Sequence, residues 1–262
     1  MFQITPVVRN LLIANIAIFF IDRNFDLSSQ FALRSFLSPE FRPYQYVSYM
    51  FLHSRESFGH LFSNMFGLLI FGPLLERVWG PKRFLFFYFF TGIGAGLLFS
   101  FINYFELSQI RDGLALYLDN PNPQAFIDFL SGHAEFYYKS QTAFINSFDA
   151  NPENAQLIAQ SKEMARAVYE FNLNIPMVGA SGAIFGILMA FGMLFPNTEL
   201  FLLFVPFPIK AKYFVGFYGL YSLYAGFQNA PNDNVAHFAH LGGMLFAFIL
   251  LKYWNSSRQK FF

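Results

Sequence analysis

Six long apolar segments dominate this chain, and they restrict its possible folds more than any other feature. A helix that crosses the hydrocarbon core of a bilayer needs about 20 mainly apolar residues. Six stretches reach or approach that length, with polar connections between them. They cover residues 6–22, 59–78, 84–104, 178–196, 211–228 and 235–253. The pattern predicts an all-α, polytopic membrane protein with six transmembrane helices.

The composition supports a membrane protein over a soluble one. Only 13% of the residues are charged, whereas a soluble domain carries about 25%. The chain has no cysteine, which excludes disulfides, thiol catalysis and thiolate metal sites. The N-terminus lacks the basic region and small-residue cleavage site of a removable signal peptide. The first apolar segment is therefore expected to remain in the protein.

Basic residues are distributed unequally between the two sides of the predicted bundle. Six spans place both termini, residues 77–83 and residues 196–212 on one side, which carries nine basic and two acidic residues. The other side carries the remaining eight basic and fourteen acidic residues. Because Lys and Arg concentrate in cytoplasmic loops, both termini are predicted to be cytoplasmic. Ser181 then lies near the outer end of its span.

Two of the predicted outer connections are long. Residues 23–58 contain aromatic, amphipathic pieces that suit the membrane interface. Residues 105–177 form a polar insert in which Asn-Pro pairs occur at 120–123 and at 151–152. Asparagine is a preferred N-cap and proline a preferred first helical residue, so these pairs predict helix starts. We expect two or three helices there.

A few polar side chains interrupt the apolar segments. His60 and Asn64 lie four residues apart in the second segment and so share one helix face. Ser181 lies near the start of the fourth segment, and His237 and His240 lie in the sixth. Ionisable groups inside a membrane span are costly and mark functional sites by default.

Each of these residues also has a structural interpretation. A serine in a transmembrane helix is commonly part of a helix–helix contact, and an intramembrane Asn or His commonly bonds across helices. A zinc protease would need an HExxH helix, and no carboxylate lies among the histidines. Paired carboxylates of an aspartyl protease and the GxSxG turn of a soluble hydrolase do not occur here.

The combination of these residues points to nucleophilic catalysis. A serine nucleophile needs a base within hydrogen-bond reach, usually histidine, and donors aimed at the developing oxyanion. Ser181, His240, His60 and Asn64 all fall toward the outer ends of three predicted spans. One shared site explains four polar residues at the same predicted membrane depth better than four unrelated structural roles do.

Three motifs resemble the signatures of rhomboid intramembrane serine proteases. They are GHLFSNM at 59–65, GASGAIFG at 179–186 and AHLGG at 239–243, in the family's order on spans two, four and six. The similarity is to six-span bacterial members and covers nearly all of residues 1–258, with the insert at 105–177 fitting least well. It implies a rhomboid membrane domain over 1–258 and a short cytoplasmic tail at 259–262.

The resemblance also implies roles for single residues. Ser181 would attack the scissile carbonyl and His240 would act as the general base, with His60, Asn64 and the Ser181 backbone N–H holding the oxyanion. The supporting residues would be two glycines that permit close backbone approach and a ring that packs against the base, namely Gly179, Gly182 and Phe185.

His237 is the competing candidate for the base, since it lies three residues before His240. We favour His240 because it matches the family motif and has small neighbours. His237 is expected to lie nearer an aqueous cap formed by residues 228–234. That cap and the end of the fifth span would form the mobile gate for substrate.

The resemblance implies an endopeptidase that cuts transmembrane proteins near the outer membrane boundary. The protein is expected in the cell (inner) membrane as a multi-pass protein, with its active site toward the extracytoplasmic side. Its partners would be the lipid bilayer and transmembrane substrates, without cofactor, metal or nucleic acid. The alternative is an inactive rhomboid-like protein that binds membrane clients; a transporter is disfavoured because the chain has no paired repeats. The insert would influence substrate access or be a tolerated elaboration.

Overall fold

Helices form almost all of the regular structure in the computed structural model, which describes residues 3–201, 207–228 and 236–258. The elements are α1 (Pro6–Phe25), α2 (Ser28–Phe31), α3 (Gln45–Ser48), α4 (Phe58–Trp79), α5 (Pro81–Asp119), α6 (Pro123–His133), α7 (Glu135–Ser140), α8 (Thr142–Ala150), α9 (Ala155–Leu173), α10 (Ser181–Leu194), β1 (Glu199–Leu200), β2 (Ile209–Lys210), α11 (Ala211–Gln228) and α12 (His237–Arg258). The two short strands pair antiparallel. The all-α prediction is confirmed.

Every predicted apolar segment forms a helix, namely α1, α4, α5, α10, α11 and α12. Within the described residues, α4 and α5 are long and apolar enough to cross a membrane, and α10 is a shorter apolar helix. The number of spans stays a prediction. The predicted cap at 228–234 lies largely outside the described residues, and the predicted tail at 259–262 lies entirely outside them.

The fourth segment is shorter as a helix than the sequence predicts. The apolar run covers 178–196, but α10 has only 14 residues, which is about 21 Å of helix. Its start is set by an extended backbone, because Met177 exchanges two backbone hydrogen bonds with Leu33. Gly179 then adopts a φ of 129°, which a helix cannot contain. Ser181 is consequently the first residue of the helix.

The third segment is longer as a helix than predicted. α5 has 39 residues, about 58 Å of helix, and continues without a break past residue 104. Proline at its first position suits a helix start, where no N–H is needed. The outer part of α5 therefore belongs to the predicted insert while its inner part lies in the apolar bundle.

The insert has a hydrophobic core of its own. Side chains from outer α5, α6, α8 and α9 pack together in it, including Leu107, Tyr117, Phe126, Phe148 and Val168. Four helices follow α5 here, rather than the two or three expected. The insert is thus a small packed unit built onto the end of a long helix.

One predicted helix start in the insert is correct and the other is wrong. Asn122 caps α6, accepting the Ala125 N–H at 2.9 Å. The pair at Asn151–Pro152 does not start a helix, because Asn151 ends α8. α9 begins three residues later, where the Asn154 side chain accepts from the N–H groups of residues 156 and 157.

α10 occupies the middle of the apolar bundle. It packs against α4, α5, α11 and α12, and nearly all of its side chains are buried. A helix that is apolar on all faces is expected to be surrounded by others. The helix that begins with Ser181 is therefore fixed from four directions.

A buried carboxylate joins α4 to the start of α1. Glu76 accepts the backbone N–H groups of Val7 at 3.1 Å and Val8 at 3.0 Å and is 3% exposed. These N–H groups have no partner inside the helix, and the helix dipole favours an anion there. Glu76 thus fixes the first helix against the second long one.

We expect Glu76→Ala to lower the free energy of unfolding in detergent micelles by about 2 kcal/mol, because two buried N–H groups lose a charged acceptor. Glu199→Ala is the matched control, since Glu199 is an exposed carboxylate in β1. Equal free energies of unfolding for the two variants would contradict the assignment.

Candidate active site

Ser181 is held by the backbone that precedes it. The Gly179 N–H donates to the Tyr49 carbonyl at 3.0 Å, and the buried Tyr49 hydroxyl donates to the Gly92 carbonyl on α5 at 2.7 Å. The φ of 129° at Gly179 lies in the region that favours glycine. Ser181 is half-buried at the start of α10, where the first N–H groups of the helix have no acceptor within the helix.

His60 faces the space beside Ser181. Its Nδ1 accepts the Ser54 backbone N–H at 3.3 Å, which assigns the proton of the neutral ring to Nε2. A methyl group at position 179 would lie 2.9 Å from His60 Nε2 and 3.6 Å from Ser181 Oγ. A hydrogen-bond donor and a hydroxyl therefore flank one small space that only glycine leaves open.

Asn64 braces His60. Its Nδ2 donates to the His60 backbone carbonyl at 2.7 Å, one turn back along α4, and the side chain is buried. One of the two amide hydrogens is used by this bond. The second amide hydrogen is not used by this bond, so the Asn64 side chain is committed in part to its own helix.

His240 stacks on Phe185. The ring centroids lie 3.9 Å apart and the planes differ by 8°. Phe185 follows Ser181 by four residues, so both project from the same face of α10. The stack therefore brings the imidazole of α12 over the helix face that carries the serine.

Small residues bring three helix backbones together next to Ser181. A methyl group on Gly243 would collide with the carbonyl of Gly182, and one on Gly182 would collide with Ala95 of α5. A methyl group on Gly242 would lie 2.9 Å from the Ala95 Cα. Helices in membranes approach this closely only through such residues. Gly182 lies at this close approach, and its supporting role in the site stays a prediction.

His237 lies behind His240. The two rings are 6.0 Å apart and nearly perpendicular, and His237 also meets the edge of Tyr221 on α11 at 5.9 Å. The side chain is buried. His237 thus links α12 to α11, while His240 is the histidine that stacks on the Ser181 helix.

His53 was not singled out by the sequence. It is fully buried in the loop before α4, with its ring 5.2 Å from that of His60 in an edge-on arrangement. Burial, together with the nearby His60, lowers the pKa of His53 from 6.5 to about 3. Since it lies outside the apolar segments and has no motif spacing, only its packing against His60 reveals it.

A hydroxyl and an N–H donor thus flank one space, and the His240 imidazole lies against the face of α10 that also carries Ser181. The stack on Phe185 restricts the orientation of the His240 imidazole. Among the described residues, no group of three or more His, Asp or Glu side chains could hold a metal ion. Groups of these types can supply nucleophilic attack with base assistance and oxyanion stabilisation.

Comparison with known proteins gives one family. A family model described as the rhomboid domain matches residues 40–108 and 155–255. The unmatched residues between these two ranges lie inside the insert. Among curated proteins, none matches this chain.

We expect Gly243→Ala to lower the free energy of unfolding in micelles by at least about 2 kcal/mol, because the added methyl group meets a rigid backbone carbonyl. Gly216→Ala is the control, since a methyl group there meets nothing within 4 Å. That exposed helical position should gain up to about 1 kcal/mol from helix propensity. Similar effects at both positions would refute the backbone contact.

The low pKa of His53 predicts a dependence of stability on pH. In the unfolded chain His53 takes up a proton below its ordinary pKa of 6.5, whereas in the folded protein it stays neutral down to about 3. The contribution of neutral His53 to stability is therefore present above pH 6.5 and is lost as the pH falls from 6.5 toward about 3. Between pH 7 and pH 5, the free energy of unfolding of the wild type should drop by about 2 kcal/mol more than that of His53→Gln. Parallel pH profiles would disprove the shift.

Proposed function

Because the chain belongs to the rhomboid family, we propose that it is an intramembrane serine endopeptidase that cleaves transmembrane proteins with Ser181 and His240. Membership rests on a family model that matches more than half of the chain, and it makes the protein a polytopic helical membrane protein. The observation that carries the catalytic proposal is the stack of His240 on Phe185, one turn beyond Ser181.

In the proposed reaction Ser181 Oγ attacks the scissile carbonyl carbon while His240 accepts the hydroxyl proton. The carbonyl oxygen becomes an oxyanion, and His60 Nε2–H, the Ser181 backbone N–H and the second amide hydrogen of Asn64 donate to it. When the tetrahedral intermediate collapses, His240 protonates the leaving amine. Water then hydrolyses the acyl-enzyme, with His240 again acting as the base.

Ring stacking takes the place of a carboxylate in orienting the base. In a catalytic triad an aspartate holds the histidine tautomer and stabilises the imidazolium. Here the Phe185 ring lies parallel to His240, which restricts rotation of the imidazole. An aromatic face also attracts the positive charge that His240 carries in the intermediate. Phe185 is thus a positioning residue in this mechanism.

Two features support cleavage near the outer membrane boundary. α10 is about 21 Å long, shorter than the roughly 30 Å hydrocarbon core, and Ser181 is its first residue. With cytoplasmic termini, as the basic residues predict, this end faces outward. A substrate helix has to unwind there, since a helical peptide bond is shielded by its own side chains and hydrogen bonds. We propose an inner-membrane location on the same basis.

The insert is proposed to belong to the same domain, within residues 1–258. Its first helix is the continuation of α5, and its last segment leads into Ser181. A separate domain would be expected to connect through an exposed linker with few contacts. Here both connections run through packed structure.

We expect Ser181→Ala and His240→Ala each to lower cleavage of a single-span substrate by at least about 1000-fold, because each removes a group of the reacting unit. His237→Ala is the matched control, since it deletes a buried histidine of the same helix, and it should retain cleavage. Purified wild type and variants are compared by product formation and by labelling with a serine-reactive fluorophosphonate.

A folded wild type that neither cleaves nor labels would refute the protease and favour a client-binding protein. Loss of activity in His237→Ala but not in His240→Ala would refute the base assignment.

A further inference from the structure

The insert returns to the membrane bundle at a point held by the first outer segment. α9 ends at Leu173, and Asn174 follows it. Arg34 Nη1 donates to the Asn174 carbonyl, and Ser38 Oγ donates to Asn174 Oδ1 at 2.7 Å. Six residues then lead to Ser181. Two side chains of one loop thus hold both the backbone and the side chain of a single residue.

The Arg34 side chain is itself fixed. It is only 12% exposed and pairs with Glu40 at 3.3 Å. Its neighbour Leu33 exchanges two backbone hydrogen bonds with Met177, at 2.8 and 3.0 Å. A guanidinium with fixed partners presents its donors in a rigid fork. The first outer segment therefore grips the chain at residue 174 and again at residue 177.

The first outer segment also contacts the residues next to Ser181. Gly179 bonds to the Tyr49 carbonyl, and only Ala180 separates Gly179 from Ser181. The direction of the Ser181 N–H, and the opening of the space beside His60, depend on where this short segment runs. A shift at Asn174 that α9 transmits is resisted by the loop contacts at residues 174, 177 and 179, together with the burial of Met177 in the bundle.

We propose that Arg34 and Ser38 are positioning residues that set the geometry at Ser181 by holding Asn174. The inference rests on the proposed function, since it concerns the same reaction. It makes the insert a working part of the active site: the insert's last helix ends in the clasp, defined as Arg34, Ser38 and Asn174. A substrate or partner that moves α9 would change turnover through this clasp.

The test compares Arg34→Met, Ser38→Ala and the double variant with the wild type in the full chain. Arg42→Met is the control, because Arg42 is exposed in the same loop and its guanidinium donates to the Pro39 and Phe41 carbonyls of that loop. End-point labelling with a fluorophosphonate counts the competent sites. The kcat per labelled site and the KM for a single-span substrate are then measured.

Misplacement of reacting groups should lower kcat per site by about 10- to 100-fold in Arg34→Met, with KM within about twofold of the wild type. The loss of kcat per site in the double variant should be smaller than the product of the losses in the two single variants, because both residues act on Asn174. Arg34→Lys should recover part of kcat, since it restores one donor. Arg42→Met should match the wild type.

A purely structural clasp would reduce the number of competent sites and leave kcat per site unchanged, and that result would overturn the inference. Should Arg34→Met fail to fold, Ser38→Ala and Arg34→Lys decide it by the same criterion. A wild type that does not cleave would overturn the proposed function and the inference together. An active wild type with unchanged variants would overturn the inference alone.

Discussion

Backbone contact between α10 and α12 is the interaction on which the rest of the structure depends. Gly182 and Gly243 meet without intervening side chains, and Ala95 brings α5 against the same place. In lipid there is no hydrophobic drive for helices to associate, so close packing and polar contacts have to hold them. With larger residues the helices would separate, and His240 would leave the Ser181 face. The glycines of the motifs therefore set the distances between the helices. Those distances hold His240 against the face of α10 that carries Ser181.

The sequence predicted the features that lipid and spacing impose, and it missed those set by contacts between distant segments. The helices α1, α4, α11 and α12 lie close to their predicted bounds because apolar length determines them. The start of α10 depends on the pairing of Met177 with Leu33, which no local pattern contains. Asn154 caps the start of α9 in place of Asn151, because Asn151 is the C-terminal cap of α8.

The site shows the same division. Motif spacing predicts His60, Asn64, Ser181 and His240 as site residues, and these roles stay predictions. The ring expected to pack against His240, Phe185, does stack on it. Spacing could not reveal that Ser54 fixes the proton on His60, that His53 packs behind it, or that Glu76 holds the start of α1. These depend on backbone groups brought together by folding, since any residue supplies an N–H. Hydrogen bonds of this kind orient groups of the candidate site, while the motifs predict its chemistry.

Because α5 is one unbroken helix, the number of residues in it determines how the insert is oriented relative to the bundle. Each residue in a helix adds about 100° of rotation and 1.5 Å of rise. One residue added between the membrane part of α5 and its outer part would turn the whole insert by about 100° around the helix axis, although every contact inside the bundle stayed in place. Asn174 would then swing away from Arg34. Seven added residues would nearly restore the helical phase, with a residual rotation of about 20°, but they would also move the insert about 10 Å along the helix axis. The closed clasp therefore fixes both the phase and the length of α5.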